Sequence, residues 1–263
     1  MWHYPDIDPV AVQIGPLAVR WYGLMYLAGF LCAYLMIARL AKKSNLDMSS
    51  DTVADLLFAC VVGVVFGGRI GYVLFYNGAY YWNHPIEVLY LWNGGMSFHG
   101  GLAGVVVAAI LFCRKRQLPM GQIADILVIS SCFGLFFGRL GNFINGELWG
   151  RVTDVPWGMV FPGAGLLPRH PSQLYEAALE GPLLLAILLI VYRKRFKPWT
   201  VFCTFIVFYA MFRFLIEYVR QPDIQLGVLS SGLTMGQTLS LPMMIVGIIG
   251  IWCVNRRCGT DYE

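Results

Sequence analysis

The stretch Leu183-Leu184-Leu185-Ala186-Ile187-Leu188-Leu189-Ile190-Val191-Tyr192-Arg193-Lys194-Arg195-Phe196-Lys197 decides which solvent this chain folds in. An uncharged apolar run ends abruptly in four basic residues, which is how a transmembrane helix finishes at a cytoplasmic surface. Extended back to 173, the segment is long enough to cross a hydrocarbon core of about 30 Å. Six further segments meet the same condition, giving seven expected spans at roughly 19–38, 53–75, 97–113, 122–140, 173–192, 199–218 and 236–255. Basic clusters follow the odd-numbered spans: Arg39, Lys42 and Lys43; Arg114, Lys115 and Arg116; Arg193 to Lys197; and Arg256 with Arg257. The excess of Lys and Arg places these ends in the cytoplasm and the N-terminus outside, as an odd number of spans also requires.

Composition agrees. Of the 263 residues, 58% are hydrophobic and 13% charged, against about 25% charged in an ordinary soluble domain. The sequence therefore predicts an all-α integral membrane protein, seven transmembrane helices in one polytopic domain, with a small outer cap built mainly from 141–172. Met1 to Pro16 contains acids and prolines in place of a basic region and apolar core, so no cleavable signal peptide is expected. The net charge of +4 is accounted for by the cytoplasmic clusters and gives no reason to expect nucleic acid. Cys32, Cys60, Cys113, Cys132, Cys203, Cys253 and Cys258 lie in or beside apolar spans without a Cys-x-x-Cys pair or a histidine at ligand spacing, and read as small packing residues.

The basic residues outside the clusters are Arg20, Arg69, Arg139, Arg151, Arg169, Arg213 and Arg220, arginine without exception. A guanidinium stays charged at any working pH and presents a planar fork suited to phosphate. Arg69, Arg139 and Arg213 fall inside expected spans, where a charge costs about 2.5–3.5 kcal/mol even on the lenient insertion scale. Each could snorkel to an interface or meet a structural acid, and for Arg69, among Gly67, Gly68 and Gly71, that reading stands beside the functional one. For Arg213 the pattern favours function. Tyr209, Arg213 and Glu217 are spaced i, i+4, i+8 and stack along one face of an otherwise apolar helix. Counted from an outer end near Tyr218, Arg213 lies roughly 8 Å deep at about 1.5 Å per residue, the level of outer-leaflet glycerol and phosphate groups.

The run Gly138-Arg139-Leu140-Gly141-Asn142-Phe143-Ile144-Asn145-Gly146-Glu147-Leu148-Trp149-Gly150-Arg151 implies helix termination and backbone bent closely around something. An ordinary helix exit would not ask for Arg139, Glu147 and Arg151 together. Gly94-Gly95-Met96-Ser97-Phe98-His99-Gly100-Gly101-Leu102-Ala103-Gly104 opens the third span. Its glycines suit close helix packing, while His99, near the outer end, can titrate near neutrality. Tyr22 on the first span is a further candidate. His170, in Pro168-Arg169-His170-Pro171-Ser172-Gln173-Leu174-Tyr175-Glu176, reads as structural at a helix start, with Ser172 as N-cap. The aromatics between 76 and 92 read as an interface belt, with a short amphipathic segment lying on the membrane.

These motifs, together with Trp21-Tyr22-Gly23-Leu24, Gly67-Gly68-Arg69-Ile70-Gly71-Tyr72 and Arg213-Phe214-Leu215-Ile216-Glu217 followed by Arg220-Gln221-Pro222-Asp223, resemble those of the bacterial prolipoprotein diacylglyceryl transferases. The resemblance runs through essentially the whole chain, and the Gly138–Arg151 run is its most specific part. It implies a multi-pass bacterial inner-membrane enzyme with its active site facing the periplasmic leaflet, N-terminus periplasmic and C-terminus cytoplasmic. The implied reaction moves the diacylglyceryl group of phosphatidylglycerol to the lipobox cysteine of a prolipoprotein signal peptide, the first step of lipoprotein maturation. Membrane lipids and these two substrates are the implied partners, and no metal or soluble cofactor is implied.

Such a reaction needs a phosphate clamp at outer-leaflet depth and a base for a thiol of pKa about 8.5. Arg139 and Arg213 are the expected clamp. The resemblance further implies that Glu147 and Glu217 orient the arginines, that Asn142 and Gly150 shape the headgroup pocket with Tyr209 and Arg220 near the lipid, that His99 is the base, and that Tyr22 positions substrate or activates the thiol. An anion transporter would want discontinuous paired helices with sites at mid-bilayer. An intramembrane protease would want a serine with a histidine partner or paired aspartates, and Asp125 stands alone.

Overall fold

A computed structural model describes residues 2–5, 7–222 and 232–256. Arg257, Cys258, Asp223 and part of the outer segment 219–235 lie outside the described residues. In chain order the elements are strands β1 (Trp2–His3), β2 (Val10–Ile14) and β3 (Leu17–Arg20), then helices α1 (Trp21–Lys43), α2 (Ser50–Phe75) and α3 (Gly78–Asn83). Two 3-10 turns, Pro85–Leu89 and Leu91–Asn93, lead to α4 (Phe98–Arg116) and α5 (Met120–Ile144). Strand β4 (Met159–Val160) precedes α6 (Ser172–Ala178), a π-helical turn (Leu179–Leu183), α7 (Leu184–Arg193), α8 (Thr200–Ile216) and α9 (Met235–Arg256).

Among the described residues, six helical segments are long and apolar enough to cross a membrane: α1, α2, α4, α5, the continuous Ser172–Arg193 segment and α9. Lys42 and Lys43, Arg114 to Arg116, Arg193 and Arg256 occupy the last turns of α1, α4, α7 and α9, where cations meet the negative end of the helix dipole. The protein is a multi-pass, helical membrane protein. The segment expected at 199–218 is α8, an apolar helix of 17 residues, shorter than the others.

The chain folds as two compact units, one of residues 37–123 and one of 1–36 with 124–263. In the first, α2 and α4 meet along glycines. A Cβ at Gly63 would come within 2.5 Å of the Gly104 carbonyl oxygen, and one at Gly71 within 2.8 Å of the Gly100 Cα, so the backbones approach as closely as small-residue membrane interfaces allow. Arg69 on α2 is buried and turns to the outer segment that follows. Its guanidinium donates to the carbonyls of Glu87 (2.6 Å), Val88 (2.7 Å) and Gly94 (2.6 Å) and lies over the Tyr81 ring. The structural reading of Arg69 is the one the geometry supports, since four backbone acceptors, Gly95 included, occupy its donors. The segment expected to lie on the membrane contains α3 and the two 3-10 turns.

In the second unit, Asp125 near the start of α5 accepts from the backbone N–H groups of Trp199 (3.0 Å) and Phe202 (2.7 Å), closing two of the open donors at the N-terminus of α8. Two departures from expectation concern the start of α1 and the end of α5. Residues 10–20 form a hairpin, with Val12 opposite Val19 and Ile14 opposite Leu17, turning at Gly15 with φ +58°. Alternating β-branched residues around Gly15-Pro16 favour strands over an early start to α1. The helix end expected near 140 comes later: α5 continues through Gly141 to Ile144, and the chain reverses at Gly146 and Leu148, both at positive φ. Tyr4 holds that end, its hydroxyl within 2.7 Å of the carbonyls of Phe143 and Ile144, so Arg139 and Asn142 ride on regular helix.

Candidate active site

Four elements of the second unit send charged side chains to one place. Arg139 comes from α5, Glu176 from α6, Glu180 from the π turn, and Arg213 from the last turn of α8, with Glu217 and Arg220 just beyond it. Pro182 lies inside the π turn, where a missing N–H is tolerated because the hydrogen-bond ladder is already widened.

The carboxylates of Glu176 and Glu180 are wholly buried. The Nε of Arg139 lies 2.8 Å from Glu176 Oε2 and 3.3 Å from Glu180 Oε2. Arg220 Nη1 is 2.7 Å from Glu176 Oε1, and Arg213 Nη1 is 3.7 Å from Glu176 Oε2. Arg213 also pairs with Glu217 one helical turn on. Three guanidiniums and three carboxylates thus balance in a site where an unpaired charge would be costly to bury. The side chains of Arg139 and Arg213 retain 18% and 22% exposure, against 10% for Arg220, so the first two keep the better access to an incoming anion.

Tyr209 lies one turn before Arg213 on α8, its ring stacked on Phe205 and within electrostatic reach of Arg139, Arg213, Glu176 and Glu180. The stripe Tyr209, Arg213, Glu217 therefore faces the cluster. Tyr22, at the start of α1, packs its ring on Gly141, where any Cβ would come within 2.7 Å of it. Its hydroxyl lies 3.1 Å from that of Tyr26 and within electrostatic reach of Arg139 and Glu147.

Glu147 departs from expectation. Its carboxylate accepts from the side-chain amides of Asn142 (2.9 Å) and Asn145 (3.2 Å), and the ion pairs of Arg139 go to Glu176 and Glu180 instead. The turn after α5 carries Glu147 back over the helix end, within reach of those amides. Asn142 is buried by this contact. Gly150 is fixed by its backbone: its N–H donates to the His170 carbonyl, its carbonyl accepts from Arg169, and it pairs with Arg220 in an antiparallel bridge. A Cβ there would stand 2.5 Å from the Val219 carbonyl oxygen and 2.7 Å from His170 Cβ, so it shapes the site by allowing the 219–220 backbone close. Arg151 donates to the carbonyls of Arg220 and Glu217, binding the same segment. His170 faces the Tyr175 hydroxyl at 3.3 Å, and burial pushes its pKa below the ordinary imidazole value, in keeping with a structural role.

His99 belongs to the other unit. It sits in the first turn of α4, capped by Ser97, is exposed, and meets the Phe98 ring edge-on. Sequence reasoning missed Glu180 and assigned Glu176 to a helix start. The signal was present: two acids at i, i+4 inside an apolar span are as anomalous as the arginines.

An arginine–glutamate cluster buried among the helices of a multi-pass membrane protein marks a functional site. Comparison with known proteins makes this particular. Residues 9–253 match the model of the prolipoprotein diacylglyceryl transferases. The phosphatidylglycerol–prolipoprotein diacylglyceryl transferase of Geobacter sulfurreducens is 52% identical over 254 residues, covering 97% of this chain and 98% of that one. Its namesake in Aliivibrio fischeri strain ES114 is 54% identical over 99% of this chain and 95% of its own. The Bordetella parapertussis protein of that name is 53% identical over 98% of each. The chain belongs to the prolipoprotein diacylglyceryl transferase family, a family of transferases.

Proposed function

We propose that this protein transfers the diacylglyceryl group of phosphatidylglycerol to the lipobox cysteine of prolipoprotein signal peptides. The cysteine sulfur attacks the glyceryl carbon bonded to the phosphate oxygen; the C–S bond forms, the C–O bond breaks, and glycerol phosphate leaves with that electron pair. The thiol proton goes to a base, a role assigned to His99, with Tyr22 positioning substrate or assisting the thiol. The protein would sit in the bacterial inner membrane with seven spans, α8 included, the N-terminus and the arginine cluster on the periplasmic side and the basic helix ends in the cytoplasm. Thioether formation would be the first step of lipoprotein maturation.

The observation that carries this reading is the state of Arg139 and Arg213. Arg139 is held through Nε, which leaves the other edge of its fork to a second anion, and Arg213 is held beside it by Glu217. A phosphodiester between two such forks gains charge on its departing oxygen where fixed donors wait. Asn142, Gly150, Tyr209 and Arg220 surround that position as headgroup contacts or backbone supports, and Glu147 acts by fixing Asn142.

Purified protein in detergent, given phosphatidylglycerol and a lipobox peptide, should yield a peptide heavier by one diacylglyceryl group in a mass spectrum. A peptide with serine for the cysteine should not react, because its hydroxyl stays protonated. Absence of adduct with the cysteine peptide overturns the function. Full rate in Arg139→Ala or Arg213→Ala overturns the clamp.

A further inference from the structure

We infer that Glu176 is the positioning residue that sets the attitude of all three site arginines, with Glu180 holding Arg139 alone. The inference rests on the proposed function for its readout. Glu176 is wholly buried; its Oε1 accepts from Arg220 Nη1 at 2.7 Å, while its Oε2, which accepts no hydrogen bond among the described residues, lies within ion-pair range of Arg139 at 2.8 Å and of Arg213 at 3.7 Å. One carboxylate thus takes guanidiniums from α5, from the last turn of α8 and from the chain beyond α8, three stretches with no other shared acid. Among the described residues Glu180 is ion-paired with Arg139 and Glu217 with Arg213.

The chemistry follows from where the contacts fall. Arg220 is fixed by a hydrogen bond to Glu176, whereas Arg139 donates its Nε–H to Glu180 and Arg213 pairs with Glu217, so Glu176 acts on these two by charge, drawing their forks toward one point. Three guanidiniums that converge on one spot also repel one another, and the shared carboxylate offsets that repulsion. Removing its charge while keeping its shape frees the arginines to splay toward the smaller acids or solvent. A bound phosphodiester would then meet donors aimed for the ground state at best, and the loss would fall on the chemical step more than on peptide binding.

Glu176→Gln keeps the side-chain volume and cancels the charge; Glu176→Asp keeps the charge on a shorter arm. In the same detergent assay, Glu176→Gln should lower kcat by about tenfold or more, as loss of one fixed transition-state donor does, with KM for the lipobox peptide unchanged within a factor of about two. Glu176→Asp should recover part of kcat. A folded Glu176→Gln protein with wild-type kcat overturns the inference, as does a Glu176→Asp protein no faster than Glu176→Gln. Should Glu176→Gln fail to fold, Glu176→Asp decides: the inference requires a kcat below wild type at constant peptide KM, and wild-type kcat there overturns it. Failure of the wild-type protein to make adduct is a different result and counts against the function itself.

Discussion

Arg213 shows how much of the site depends on the shape of one side chain. It reaches Glu217 along its own helix and Glu176 across to α6, which a planar fork can do and an ammonium cannot. Arg213→Lys keeps the charge, so lipid should still bind, but kcat should fall about a hundredfold to a thousandfold, the range for loss of one fixed donor to a developing charge. Single-turnover measurement of adduct formation checks this, and an unchanged rate would show that charge alone suffices. Arg139, Arg213 and Glu217 were legible in the sequence because charge inside an apolar run is conspicuous. Glu176 is masked in the sequence because Pro171-Ser172 makes it look like part of a helix start. The partner of Glu147 was not legible, since it depends on a reversal at Gly146 and Leu148 that no periodicity announces.

At the scale of elements, the α2–α4 pair is the most sharply constrained. Gly67 faces the Gly100 carbonyl and lies so near Gly104 that a Cβ would come within 2.8 Å of its Cα. Gly67→Ala must push two helix backbones apart, at a cost of about 1–3 kcal/mol, and a thermal scan in detergent should show a lower midpoint. An unchanged midpoint would mean the helices part easily. The helices themselves were readable from apolar length and terminal Lys and Arg, and the Gly100-x-x-x-Gly104 spacing pointed to the seam. The β2–β3 hairpin was not legible because its strands are short and its Gly15-Pro16 turn lacks the Asn-Gly or Asp-Gly pair that marks a tight hairpin. The π turn escaped because Pro182 in an apolar run reads as a kink, and its widened ladder appears only in the backbone.

For the molecule as a whole, the apolar runs and their basic ends dictate a bilayer, and the cluster of arginines and glutamates needs an address within it. That address depends on α8, the helix that delivers Arg213. Its 17 residues span roughly 25 Å at about 1.5 Å per residue, while the hydrocarbon core is about 30 Å thick. In the proposed topology the lipids beside α8 are too tall for it. A bilayer meets such a mismatch by thinning locally, at fractions of a kcal/mol per Å, and thinning draws phosphates of the outer leaflet down toward the arginines. Membrane thickness thereby becomes a kinetic variable of the enzyme. Reconstituted into vesicles of short-, medium- and long-chain monounsaturated phosphatidylglycerol, the protein should slow in the thickest bilayers while keeping its rate in detergent, where no leaflet has to bend. A rate indifferent to thickness would mean that the lipid reaches the arginines by climbing out of its leaflet rather than by the leaflet coming down to meet them.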